Sequence, residues 1–482
     1  MELHNLLINF NENLHQALLL LNKSGTGILF VVNDSNKLLG TLTDGDIRRQ
    51  LLHDSDLNVQ VDGFMKKDYV SLPINTQNSK IIEHINSDIK IIPLVDDCNV
   101  VLDYASVNRL RKINISSPVL EGNELLYLTD CVKTNWISSQ GKYVRLFEKN
   151  FKDYHEGHEA LAVSNGTVAL HLALEALGVK EGDEVIVPDL TFAASINAIL
   201  YTGATPVLVD VENDTFNIDV TKIEQLITDK TKAIMPVHLY GHSCEMDEIV
   251  RIAKKHKLLI VEDCAEALGS FYKERPVGVF GDAATFSFFG NKTITTGEGG
   301  MVLFKDQKKA YKASILRDHG MSKERRYWHD FIGYNYRLTN LQASVGVAQF
   351  ERLNNFIEAK RALAETYNKT LTKFNFFQTP LEKKNTFNSY WLYTFLVKAN
   401  SPFNREDLID YLSTKGIESR PVFYPLHIMP PYQKFGNADD LKTSNMISER
   451  GISLPSSVNL SQLEAKHICN VIEGYIKTFK IN

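Results

Sequence analysis

Beyond residue 158 the chain alternates between two textures. Residues 160–163, 184–187, 206–209, 233–237 and 258–261 are near-continuous apolar runs. Such runs fit strands buried on both faces of a parallel sheet. Between them lie segments of helical period, for instance 168–177, where Leu170, Leu174 and Leu177 share one stripe. Strands alternating with helices predict a large α/β domain of doubly wound type. From residue 370 the pattern changes to a strand over 390–397 and an amphipathic helix over 405–414, predicting a smaller α+β lobe.

Residues 1–112 read differently. The apolar runs 27–32 and 89–95 are each followed by an acidic turn, Asn33-Asp34 and Asp96-Asp97, and then by a second apolar run. This is an internal repeat at roughly 60 residues whose unit reads strand, turn, strand, helix. The first unit ends in Gly40-Thr41-Leu42-Thr43-Asp44-Gly45-Asp46-Ile47-Arg48-Arg49. That run resembles the signature of a CBS domain, a module that works in pairs and often binds adenine nucleotides. The resemblance implies that Thr43 and Asp46, its T-x-x-D pair, hydrogen-bond a ribose. The second unit, from Val100 to Asn108, has neither the glycine nor a T-x-x-D, so at most one nucleotide site is chemically intact. A packing or dimerisation module without a ligand and a nucleotide-responsive regulator both stay open. Residues 113–120 read as a linker, dividing a CBS-like pair over 1–112 from a large domain over 121–369 and a small one over 370–482.

Composition narrows the class. The 482 residues correspond to about three domains at ~150 residues each. Lys plus Arg is 53 and Asp plus Glu 58, for a net charge of −5. That balance argues against a broad nucleic-acid footprint and against a polybasic membrane anchor. The five cysteines (Cys98, Cys131, Cys244, Cys264, Cys469) form no CxxC pair, so neither a disulfide framework nor a zinc site is supported. The N-terminal segment has polar and acidic residues inside its apolar stretch, unlike a signal peptide. No run approaches the ~18 apolar residues needed to span a bilayer. The expectation is a reduced, cytoplasmic enzyme with no membrane partner.

In an open α/β sheet, ligands bind beyond the carboxyl ends of the strands. After 160–163 comes Ser164-Asn165-Gly166-Thr167, opening a helix whose first-turn N–H groups favour an anion, though a plain N-cap reads the same way. After 258–261 comes Glu262-Asp263-Cys264-Ala265-Glu266. An acid there serves a metal, a solvated turn or a ring nitrogen, and the lack of further ligand spacing makes metal the weakest choice. After 284–289 comes Gly290-Asn291-Lys292-Thr293, then Thr296-Gly297-Glu298-Gly299-Gly300. A lysine set among apolar residues and glycines suits Schiff-base chemistry, because burial favours its neutral amine. An anion cup, an acid and a lysine at successive strand ends together suit pyridoxal phosphate (PLP).

Residues 118–482 resemble the DegT/DnrJ/StrS family of sugar aminotransferases. The matching stretches are Ser164 to His171, Pro188 to Ser195, Pro236 to Gly241, Glu262 to Ala267, Ser287 to Lys292 and Gly333 to Arg337. The resemblance implies PLP fold type I, as in aspartate aminotransferase. Position by position, it implies that Lys292 bonds the cofactor's aldehyde and that Asp263 pairs with the pyridine nitrogen. Glu266 would lie near the ring hydroxyl, Gly166, Thr167 and Ser287 would hold the phosphate, and Phe192 would stack on the ring. Asn335 would reach the phosphate of the neighbouring subunit, implying a homodimer with shared active sites. Relatives with histidine in place of the lysine dehydrate at C3, so Lys292 favours transamination, with L-glutamate as donor and a nucleotide-linked keto sugar as acceptor.

The stretches from Phe288 to Met301 and from His319 to His329 are most similar to the perosamine-forming branch, which aminates C4 of a GDP-linked 4-keto-6-deoxymannose for surface polysaccharides. Alternatives are a UDP- or dTDP-linked 4-keto or 3-keto sugar, or, in another class, a nucleotide-sensing regulator carrying a degenerate aminotransferase. Trp136-Ile137-Ser138 and Tyr424-Pro425-Leu426-His427 match family segments that line the sugar pocket, or are ordinary loop packing. Arg337 and Arg420 would pair with the diphosphate or form structural ion pairs.

Overall fold

The computed structural model describes residues 3–76, 78–86, 89–106, 109 and 112–479. The chain divides into two compact units. The first comprises the region through Asn114 together with Leu408–Glu418 and the chain from Asn470; the second comprises Ile115–Asp407 and Ser419–Cys469.

In the first unit two three-stranded sheets repeat one design. Leu7–Asn9 pairs in parallel with Ile28–Val32, which pairs antiparallel with Leu38–Thr43. Leu72–Pro73, Ile91–Val95 and Val101–Ser106 do the same. Corresponding strands start 63 positions apart (28 and 91, 38 and 101), and both hairpins carry an irregularity at equivalent places, Val31/Val32 and Leu94/Val95. Their turns place Asn36 and Asn99 at φ 56° and 65°, a left-handed conformation that asparagine tolerates better than most residues. The turns also grip each other: Leu38 N–H donates to the Asn99 carbonyl at 2.8 Å, and Val101 N–H to that of Asn36 at 3.0 Å. Reciprocal bonds of this kind are what a pseudo-twofold pair requires. The sequence repeat is therefore a structural one. Of the second unit's predicted run, Val107 and Asn108 lie outside the described residues.

The second unit is built on a seven-stranded sheet in the order Glu159–Val163, Gly300–Phe304, Ala283–Ser287, Leu259–Asp263, Thr231–Ile234, Glu184–Pro188, Thr205–Val209. From Ala283–Ser287 to Thr205–Val209 all neighbours are parallel. Gly300–Phe304 runs antiparallel to both its neighbours, which the pattern did not predict because its glycine-rich approach reads as loop. The helix Gly166–Leu177 is buried on more than the expected stripe: His171, Leu172, Ala173 and Ala176 are covered as well as Leu170, Leu174 and Leu177. It shares one core with Val185, Val187, Val261 and Val302 of the sheet. A four-stranded antiparallel sheet, Phe377–Gln378, Tyr393–Val397, Gly451–Leu454, Arg420–Pro421, forms the smaller lobe.

The expected linker is not loose chain. Ile113 exchanges backbone hydrogen bonds with Gly416 and Glu418 inside the first unit. In the second, Ile115 and Val119 are buried, and Ser456 N–H donates to the Ile115 carbonyl at 2.7 Å. Alternating apolar residues at 113 and 115 give the segment something to bury.

Candidate active site

The carboxyl ends of the parallel strands gather the expected residues. Asp263 closes Leu259–Asp263 and is buried. Its Oδ2 accepts from Ser195 Oγ at 2.8 Å and its Oδ1 from Ala265 N–H at 3.1 Å. Burial pushes its pKa up; the Ser195 hydroxyl, the Ala265 amide and the Lys292 charge oppose this without cancelling it. Thr191 Oγ1, 3.1 Å from Ser195 Oγ, fixes the serine in turn.

Lys292 sits in the turn after Ala283–Ser287, its amide donating to the Phe289 carbonyl at 2.9 Å. Its Nζ lies 3.6 Å from Glu266 Oε1 and 3.9 Å from the centroid of the Trp391 ring. Glu266 is also buried, and burial raises its pKa to about 7, with Lys292 and the Tyr240 amide pulling the other way. Tyr240, whose N–H donates to Glu266 Oε2 at 3.0 Å, is held at φ 52°. Backbone strain of this kind is typical of functional sites. Its ring stacks on Trp391 at 6.0 Å and on Phe423 at 5.6 Å, and Phe423 contacts Phe192 at 5.8 Å. An aromatic wall thus runs from Phe192 to the lysine. Sequence reasoning missed Tyr240, Trp391 and Phe423, whose types and spacing look like ordinary core.

Asn165 caps the helix Gly166–Leu177 by accepting from Val168 N–H at 3.0 Å. The earlier N–H groups of Gly166 and Thr167 have no intrahelical acceptor and favour an anion. Glycine is needed here because a Cβ at 166 would lie 2.9 Å from Ser287 Cβ. Gly166 and Ser287 therefore lie against each other, and with the Thr167 amide of the same first turn they outline a candidate anion cup.

These features fit PLP. The cup supplies amide and hydroxyl donors for a phosphate. The buried Asp263 is contacted by neutral donors on both oxygens and would gain from a cationic ring nitrogen. Lys292 is flanked by an acid and an aromatic face.

The expected substrate residues are less uniform. Trp136 and Ser138 are exposed. Arg337 donates to Asp318 Oδ1 at 2.6 Å and to Asn335 Oδ1 at 3.0 and 3.2 Å, so the structural ion pair is formed and Asn335 is tied to it. Arg420 is exposed on its short strand. His427 is buried: Asp189, itself fully buried, accepts from its backbone N–H at 2.9 Å and lies 2.7 Å from its Nδ1.

Among the described residues, His238, Glu262 and Cys264 bring ligand atoms within 4.8 Å of one another. Their hydrogen bonds explain them without an ion. Glu262 Oε1 accepts from the Phe280 and Gly281 amides, and Oε2 from Gly278 N–H and His238 Nε2. His238 Nδ1 accepts from Cys244 N–H at 3.0 Å, and burial pushes the Cys264 thiol far up.

In the N-terminal unit, Thr43 and Asp46 form a capping box on the helix Asp44–His53. Thr43 N–H and Oγ1 both donate to Asp46 Oδ2, at 2.8 and 2.6 Å, and Arg49 holds Oδ1. These bonds, with burial opposing, keep Asp46 below its usual pKa and therefore ionised as an acceptor. No helix among the described residues is long and apolar enough to cross a membrane.

Comparison with known proteins agrees with this geometry. The DegT/DnrJ/EryC1/StrS aminotransferase family profile matches residues 118–473, and the CBS domain profile residues 4–53. GDP-perosamine synthase of Escherichia coli O157:H7 is 49% identical over 370 residues, covering 76% of this chain and 99% of that protein. Its Vibrio cholerae counterpart is 45% identical over 363 residues, 75% of this chain and 99% of the relative. A putative sugar aminotransferase from Streptococcus pneumoniae, solved in its PMP form, is 30% identical with a TM-score of 0.73, over 76% of this chain and 98% of its own. The aminotransferase from Psychrobacter cryohalolentis also gives 30% and 0.73, over 77% and 100%. A buried acid and a lysine at neighbouring strand ends, an anion cup and a family match over most of the length lead to one conclusion: the chain belongs to the DegT/DnrJ/EryC1/StrS aminotransferase family, is a PLP-dependent sugar aminotransferase of fold type I, and carries a CBS domain at its N-terminal end.

Proposed function

We propose that the chain transfers an amino group from L-glutamate to C4 of a GDP-linked 4-keto-6-deoxymannose, in the cytoplasm, for surface polysaccharide synthesis. The observation that carries this reading is 45–49% identity to three GDP-perosamine synthases, over 98–99% of their lengths. The best test presents the GDP-, UDP- and dTDP-linked 4-keto-6-deoxy sugars with glutamate and reads products by mass. Amination of the GDP sugar alone is expected; amination confined to a UDP or dTDP sugar would overturn the reading.

PLP, when bound, supplies an aldehyde for amines and a protonated ring that draws electrons from the reacting carbon. In this reading Gly166, Thr167 and Ser287 hold its phosphate, Phe192 stacks on its ring and Glu266 faces its hydroxyl. Asp263 stays ionised against the pyridine nitrogen, with Ser195 orienting its carboxylate. Lys292 would bond the aldehyde at rest, and once freed its Nζ would hold and move the proton at the reacting substrate carbon in each half of the reaction. Trp136, Ser138 and Arg420 face the nucleotide sugar, while Arg337 and His427 shape that pocket through their pairs with Asp318 and Asp189.

A homodimer completes the site. Ile332 is 94% exposed and Tyr327 75%, with Phe331 and Phe289 half exposed nearby in sequence to Asn335 and Lys292. Apolar exposure of this kind fits a face covered by a partner subunit, whose phosphate Asn335 would reach. The CBS unit binds an adenine nucleotide through Thr43 and Asp46. Calorimetry with AMP and ATP is expected to give heat that Asp46→Ala removes; no heat from either nucleotide would leave the unit a packing role.

A further inference from the structure

The loop from Trp136 to Gly141 carries two of the residues assigned to the nucleotide sugar, yet its own sequence has little to hold it. It leaves the helix Glu124–Lys133 through Asn135, a non-glycine residue at φ 60°, with Trp136 N–H donating to the Cys131 carbonyl at 3.0 Å. It enters the helix Lys142–Tyr154 at Gly141, which has no side chain to cap the helix. A loop with exposed side chains and an uncapped entry needs an outside anchor.

Asn340 provides it. This residue opens the helix Asn340–Phe350 but does not cap it; Thr339 does, in a capping box with Gln342. The Asn340 side chain, 1% exposed, is therefore free for another task. Its Oδ1 accepts from Tyr143 N–H at 2.9 Å, giving the second helix the N-terminal acceptor that Gly141 lacks. Its Nδ2 donates to the Trp136 carbonyl at 2.6 Å and to Cys131 Sγ at 3.1 Å, and its backbone N–H donates to the Ser138 carbonyl at 3.1 Å. Both N–H donors of the amide and its oxygen are engaged, and with the Asn340 backbone N–H on Ser138 the segment is held at its start, at its middle and just past its end. Gly141 is glycine for the same reason, since a Cβ there would overlap the Asn340 amide. The same helix turn reaches the far side of the site, where Gln342 Nε2 donates to the Glu298 carbonyl at 2.7 Å in the glycine-rich loop after Lys292.

We infer that Asn340 is a positioning residue for the acceptor sugar, setting the Trp136–Gly141 loop through the Trp136 and Ser138 carbonyls and the Tyr143 amide. The inference rests on the nucleotide-sugar reading above. It separates the two halves of the reaction, because glutamate needs Lys292 and the cofactor cup whereas the sugar also needs the loop.

The test uses PLP-loaded full-length protein with two variants. Asn340→Asp keeps the acceptor for Tyr143 but replaces the donor to Trp136 with a carboxylate oxygen. Gly141→Ala presses on the same amide from the loop side. For both, KM for the GDP-linked 4-keto-6-deoxy sugar should rise about tenfold or more, corresponding to ~1.4 kcal/mol. The glutamate half-reaction, followed alone by the cofactor's absorbance change, should stay within about twofold of wild type. Should Asn340→Asp fail to fold, Gly141→Ala carries the test alone. An unchanged sugar KM in a folded variant overturns the inference, as does an equal loss in both halves, which would mark a general structural role. If wild type aminates no nucleotide sugar, the functional reading itself falls, a result distinguishable from either.

Discussion

Replacing Glu262 by glutamine should destabilise the aminotransferase unit by about 4 kcal/mol, because an amide cannot accept all four hydrogen bonds that the buried carboxylate receives. Glu262 is fully buried and each of its oxygens accepts two hydrogens: Oε1 from Phe280 and Gly281 at 2.8 and 2.7 Å, Oε2 from Gly278 at 2.9 Å and from His238 at 3.1 Å. The His238 proton must sit on Nε2, since Nδ1 already accepts from Cys244 N–H. All four partners are thus donors. An amide nitrogen at either oxygen leaves two of them without an acceptor, at roughly 1–3 kcal/mol each. Burial would raise the Glu262 pKa, but His238 and the Gly278 and Gly281 amides outweigh it and hold it below the ordinary value. A depressed carboxylate contributes stability above its unfolded pKa and loses it as pH falls through the folded one. The gap between wild type and Glu262→Gln should therefore be full at neutral pH and narrow below about pH 4.5. Scanning calorimetry at one scan rate should show the variant's apparent Tm lowered by about 5 °C at pH 7. A fall of less than about 2 °C would mean that the four donors find other partners, and would refute the reasoning.

Three further outcomes follow from the same geometry. Gly166→Ala places a Cβ 2.9 Å from Ser287 Cβ, so PLP affinity measured by fluorescence titration of the apoprotein should fall about 10- to 100-fold, from ~1–3 kcal/mol of overpacking; unchanged affinity would remove the cup from the phosphate. The buried Glu266 has its pKa raised to about 7, so its contribution is present at low pH and is lost as pH rises through that value. Relative to Glu266→Gln, wild-type apoprotein should lose roughly 3 kcal/mol in denaturant melts between pH 4.5 and 7.5. Lys360 is buried, donates to the Trp391 and Ser456 carbonyls at 3.0 and 2.6 Å, and has its pKa lowered by burial to about 7. The unfolded chain binds its proton more tightly, so wild type should gain stability from pH 7 to 10 relative to Lys360→Met, by a few kcal/mol, on the order of 4; parallel profiles would show that the amine is solvated.

What could be read from the sequence was whatever depends on neighbours along the chain. Buried strands announce themselves as short apolar runs, and six of the seven sheet strands carry such runs at the positions expected. The helix Arg405–Thr414 followed its period to the residue. Gly300–Phe304 escaped because strand direction depends on a partner, and its partners are Ala283–Ser287 and Glu159–Val163. The cup, the acid and the lysine were legible because each follows a strand and differs in kind from the core around it.

Residues whose role depends on a distant partner were not legible, and the active site shows why that matters. His427 looks like a pocket residue until Asp189 is found against it, and Arg337 looks like an anion ligand until Asp318 is found. Asn340 gives the opposite case. Beside Thr339 at a helix start it looks like a redundant cap, and only the fold brings it to Gly141, Trp136 and Tyr143 some two hundred positions away. The chemistry that makes the chain an aminotransferase is carried by short motifs, because a strand end presents its residues together. In the reading proposed above, the choice of sugar depends on the Trp136–Gly141 loop, which the buried Asn340 amide holds from elsewhere in the chain. On that reading, acceptor choice in this chain would rest partly on a residue that no motif contains, and a sugar-specific loss in Asn340→Asp is what would show it.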